Sequence, residues 1–183
     1  MEYSLNGTIE SGMQGLMHYI KSAIEQGIDV KNYILNKYPS LEEGSFEEET
    51  YDFLKAPALD NKKVPENLED LWKLLKVYNM AFGEMKKAAN EDEEEEYHSH
   101  LSYMFVNNST ILEHLYQYLG REVLPPDDIP EEFWEFEKSD SVVRDLIILK
   151  RYIDFLSLIL NTLKEIKPVE LSYLEDFILS TGI

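Results

Sequence analysis

Cysteine is absent from the 183 residues. That omission excludes a disulfide framework, a thiolate metal site and a cysteine nucleophile together. Long apolar runs are missing as well. The longest, Leu146 to Leu149, is far short of the roughly 20 residues needed to cross a bilayer. The opening MEYSLNGTIESG has neither a basic cluster nor an apolar core, so no secretory signal is read there and a cytoplasmic location is expected. Glycine-rich phosphate loops, strand-like alternation and internal repeats are also wanting.

Positive charge is scarce. Lys and Arg number 17 against 36 Asp and Glu, for a net charge of −19. Residues 41 to 60 hold seven acids and one base, 91 to 100 hold six acids and no base, and 121 to 140 hold eight acids and two bases. Those stretches carry −18 of the −19, so the chain reads as three acidic patches on a nearly neutral scaffold. A field of that sign repels phosphate backbones and anionic membranes and attracts basic protein surfaces or cations. Direct nucleic-acid or membrane binding is therefore not expected.

What the chain does have is helical periodicity. From Ser141 to Lys167, the positions Ile148, Leu149, Tyr152, Ile153, Phe155, Leu156, Ile159, Leu160, Leu163 and Ile166 cover about half of a helical wheel. A face that wide needs neighbours on more than one side, which predicts a central helix over about 141–167. Leu68, Leu71, Leu75, Tyr78, Phe82 and Met85 form a heptad seam on a second helix running to about Ala89. Its expected use is an intramolecular helix pair. Tyr97, Leu101, Met104, Asn108, Leu112, Leu115 and Leu119 continue a seam to Gly120. Either that helix is continuous with Asn108 inside the seam, or Asn108 or Ser109 caps a second helix; continuity is the expectation.

Thr8 reads as the N-cap of a first helix that Gly27 stops near Gln26, with Asp29 capping a short helix to Tyr38. Gly12 and Gly15 either admit a close neighbour or loosen that helix. Overlapping capping boxes at Ser40/Glu43 and Ser45/Glu48 predict a helix to about Lys55. Short helices are predicted from Pro130 to Lys138 and from about Val169 to Leu179. The fold class that follows is all-α, a single domain of six to eight helices in an irregular bundle around the 141–167 helix.

No constellation carries recognisable catalytic chemistry. Glu95-x-x-His98 has the spacing of half a di-iron site, but none of His18, His100 and His114 supplies the second half. The acid run Glu91 to Glu96 lacks the glycine and spaced glutamate of a calcium loop and suits the first turn of a helix. Lys62, Lys63, Lys73 and Lys76 could at most form a local basic patch. The reading is therefore non-enzymatic, with no cofactor and no metal.

One stretch stands apart: Asp127, Asp128, Glu131, Glu132, Phe133, Trp134, Glu135 and Phe136. Phe133 and Phe136 share a face of a short helix while Trp134 points elsewhere, so one core cannot easily bury all three rings. An exposed ring among carboxylates is what a hot spot for a basic partner looks like, the ring as anchor and the acids as steering charge. The alternative is a lid on the central helix with every ring inside. Glu47, Glu48 and Tyr51, with Phe46 and Phe53 interleaved, repeat the composition. The expected function is an acidic protein-interaction module for a basic surface, such as that of a nucleic-acid-binding protein. In its sharpest form it is an inhibitor or neutraliser of immunity or anti-defence type whose carboxylates replace phosphates. A scaffold, assembly subunit or chaperone acting through an apolar seam, as a homodimer, is the competing reading.

Overall fold

The seam that begins at Leu68 is internal. In the computed structural model, which describes residues 5–41, 51–57, 64–119, 128–135 and 141–165, Leu68, Leu71, Leu75, Tyr78, Phe82 and Met85 are all buried. They lie on α2 (Val64–Glu91), which pairs with α3 (Glu95–Tyr116). Two further helices, α1 (Leu5–Lys37) and α4 (Ser141–Glu165), are described, and short 3-10 turns occur at Asp52–Leu54 and Glu131–Trp134. No strand is present among the described residues.

The pairings fix the helix directions. Trp72 donates its indole N–H to the Leu112 carbonyl at 3.2 Å, while Lys86, further along α2, sits over Phe105. Thus α2 and α3 are antiparallel. Tyr33 packs on Tyr97 and Tyr19 on His114, so α1 is antiparallel to α3. Gly27 meets Ile153 of α4. Tyr78 packs on Tyr152 and Phe155. With α1 and α2 running one way and α3 and α4 the other, this is an up-up-down-down arrangement with two long crossovers. One continuous cluster of buried apolar side chains draws on all four helices.

The helix count departs from the six to eight expected, since four α-helices are described. Gly27 does not stop α1, which continues ten residues further to Lys37. The glycine is buried, and a Cβ there would lie 3.0 Å from Ile153 Cγ1, so its small size serves the approach of α4. Gly12 likewise lies beneath the Tyr118 hydroxyl, whereas Gly15 faces open space. From Pro130 the described residues form one 3-10 turn, Glu131–Trp134, that ends at Glu135; the rest of the helix expected to Lys138 lies outside the described residues. Most of the helix expected before Lys55, and all of the one expected at Val169–Leu179, lie outside the described residues.

Asn108 is in the seam and fully buried within a continuous α3. Its amide donates to the Leu75 carbonyl at 3.2 Å and to Asn79 Oδ1 at 3.1 Å, and its oxygen accepts from the Tyr152 hydroxyl at 2.8 Å. A buried amide without partners would cost roughly 1–3 kcal/mol; here its donors and acceptor are engaged by two other helices. Ile147 and Leu158, outliers on the polar half of the α4 wheel, are buried and half-buried. Residues Arg144 to Leu149 are buried without interruption, so this part of α4 is covered on every side.

Candidate functional site

One end of the bundle collects the C-termini of α1 and α2 and the N-termini of α3 and α4. The α2–α3 connection there is a Schellman turn: Glu94 N–H donates to the Ala89 carbonyl at 2.9 Å and Glu93 N–H to the Asn90 carbonyl at 3.3 Å. Its left-handed position is Glu93, with φ 57°, where glycine is usual. The tight turn leaves Glu91, Asp92, Glu93, Glu95 and Glu96 exposed together. Lys37, from the last turn of α1, pairs with Glu94. That hydrogen bond, more than any through-space attraction, raises the Lys37 pKa, against a smaller opposing effect of burial.

Beneath this acidic turn lies a buried ionic cluster. Arg144 donates Nε and Nη2 to Asp145 Oδ1 at 3.0 and 2.8 Å, and the Tyr97 hydroxyl donates to Asp145 Oδ2 at 2.9 Å. Burial pushes the Asp145 pKa up, while Arg144 and the Tyr97 hydrogen bond oppose it. Burial likewise raises Tyr97, with the Asp145 carboxylate adding to the effect. A cavity of about 40 Å³ beside the cluster is bordered by Tyr33, Lys37, Met85, Glu94, Tyr97 and Arg144. It has room for a few ordered waters and is far below the size of an ordinary cofactor pocket.

Arg144 also holds the aromatic segment. Its guanidinium stacks 4.1 Å from the centroid of the Phe133 ring and donates Nη1 to the Phe133 carbonyl at 3.4 Å. Phe133 is consequently buried. Trp134, the next residue in a 3-10 turn, meets the Phe133 ring edge-on at 4.9 Å yet remains 55% exposed. Asp128, Glu131 and Glu135 are exposed around it, and Glu132 is half-buried. The lid alternative is therefore divided: Phe133 is inside and Trp134 is outside, while Asp127 and Phe136 lie outside the described residues.

Of the second aromatic stretch, Glu47 and Glu48 also lie outside the described residues. Tyr51 is half-buried and stacked on Phe53 at 5.5 Å, and Leu54 anchors the turn in the core. Lys55 is raised in pKa chiefly by its hydrogen bond and charge pairing with Asp52, and to a smaller degree by Glu132. Glu132 and Lys55 therefore stand within electrostatic reach of each other. The sequence reading has Tyr97 only as a seam position and does not single out Arg144 or Asp145, because adjacent opposite charges on a helix ordinarily face solvent. The available signal was the long aromatic segment just before α4, which had to lie across something. Glu95 and His98 do not converge with other donors; among the described residues no group of three or more His, Asp or Glu side chains could hold a metal ion. No described helix is long and apolar enough to cross a membrane.

Compared with protein-family models, with curated proteins and with solved structures, the chain matches none.

Proposed function

We propose that the chain is a non-enzymatic interaction module that docks the acidic end of its bundle on a basic protein surface. The observation carrying this reading is Trp134, 55% exposed on a segment that Phe133 and Arg144 fasten to α4. A large ring held rigidly in water loses little entropy on binding and gains its full desolvation on contact. The carboxylates of Asp128, Glu131 and Glu135 beside it, and of Glu91 to Glu96 on the same end, supply steering charge. In the sharper form, the module is an inhibitor or neutraliser whose carboxylates take the place of phosphates on a nucleic-acid-binding protein.

The test is a pull-down with matched wild-type and Trp134→Ala baits at low and high salt. A partner that is basic, is lost at high salt, is reduced at least about tenfold by Trp134→Ala, and is displaced by duplex DNA supports the reading in both its forms. Capture that is indifferent to salt and to Trp134 overturns it.

A further inference from the structure

Between Glu96 and Glu113, α3 carries no Asp, Glu, Lys or Arg, although the chain has a net charge of −19. At 1.5 Å per residue this uncharged stretch is roughly 25 Å long. Its outward row is Ser99, Tyr103, Val106 and Thr110. Tyr103 at 66% and Val106 at 60% are more exposed than any other large hydrophobic residue described, Trp134 included. On the α1 side the row is flanked by Tyr19, itself 43% exposed and stacked on His114 at 5.0 Å.

We infer that this strip is where a second copy of the chain packs. An isologous contact sets a surface against itself, so any charge it bears is doubled as repulsion. The acidic end is barred to self-association on that ground, and the uncharged strip is not. The row is also palindromic in spacing: Glu96, Ser99, Tyr103, Val106, Thr110 and Glu113 are separated by 3, 4, 3, 4 and 3 residues. Antiparallel pairing about a two-fold axis between Tyr103 and Val106 sets Tyr103 of one copy on Val106 of the other and Ser99 on Thr110. Glu96 and Glu113 fall at the rim, where solvent screens them. Between those two end carboxylates, a basic partner of the kind proposed above would find no negative charge on this row.

A strip about 25 Å long and one helix, about 10 Å, wide is smaller than the ≈ 800 Å² per partner of a stable complex. The dimer is therefore weak and reversible. Because the two copies repel each other elsewhere, added salt strengthens it, the opposite of the response of the acidic docking surface. The two readings consequently fail separately.

The experiment is sedimentation equilibrium on the full chain over a wide concentration range, at low and high salt. The expected result is a monomer giving way to a dimer, earlier at high salt. Val106→Glu and, separately, Tyr103→Glu should move the midpoint at least about tenfold higher in concentration, with unchanged helical circular dichroism because both side chains are exposed. Trp134→Ala should leave it unmoved. Monomer mass at every concentration, or a dimer indifferent to both glutamates, overturns the inference.

Discussion

The Tyr152 hydroxyl donates to Asn108 Oδ1 at 2.8 Å, joining α4 to α3 through the middle of the bundle, while the Asn108 amide reaches Leu75 and Asn79 on α2. A polar group at that depth sets the relative register of three helices, because a slip of any one would strand it. Asn108→Leu should therefore destabilise by about 2–4 kcal/mol, leaving the Tyr152 hydroxyl and the Asn79 side chain short of partners. Urea denaturation measures it, and a loss below about 0.5 kcal/mol would contradict this role.

Two neighbouring tyrosines should respond in opposite ways to loss of the hydroxyl. Tyr152→Phe should cost about 1–3 kcal/mol, since it removes the donor to Asn108. The Tyr78 hydroxyl is fully buried with no hydrogen-bond partner among the described residues. Tyr78→Phe should thus be neutral or stabilise by about 1 kcal/mol. The same denaturation series checks both.

Alkali should unfold the protein in step with tyrosine ionisation. Burial holds Tyr78, Tyr97, Tyr118 and Tyr152 above the ordinary value of 10.0. Unfolding returns them to it, so above about pH 10 the folded state binds more protons than the unfolded state and stability falls as pH rises. Each group steepens that fall by up to about 1.4 kcal/mol per pH unit. Tyrosinate absorbance and helical circular dichroism should change together for these four; complete titration of all 12 tyrosines with the helix intact would contradict their burial.

Glu93→Gly should stabilise by about 0.5–1 kcal/mol. The position has φ 57°, which glycine adopts without the steric cost borne by a side chain. Removing one carboxylate from a crowded acidic turn acts in the same direction. Thermal melts of the two proteins decide it, and a lower Tm for the glycine variant would show that the turn carries no such strain.

Periodicity made the interior legible. The Leu68–Met85 seam, the Asn108 seam and the α4 stripe each mark a buried face, because a 3.6-residue repeat is written in the chain itself. Gly27 misled for the opposite reason: whether a glycine ends a helix or admits a neighbour depends on Ile153, a residue 126 positions away. The short helix expected at Pro130 had the right start signals, but Arg144 captures Phe133 and the chain tightens into a 3-10 turn instead. Within the site, three rings crowded into four residues left open whether Trp134 faces out or lies under a lid; it is 55% exposed while Phe133 is buried. The Arg144–Asp145–Tyr97 cluster joins helices remote in sequence, and no local pattern announces it.

The order of connections has a kinetic consequence. Only α2 and α3 are joined by a tight turn; the other two links each span more than twenty residues. Closing contacts across long links is slower than zipping a local hairpin, so the α2–α3 pair is expected to form first, with α1 and α4 docking afterwards. Their arrival brings the carboxylates around Trp134 alongside those of the α2–α3 turn. The final approach is thus made uphill against electrostatic repulsion, and refolding in stopped flow should accelerate as sodium chloride is added.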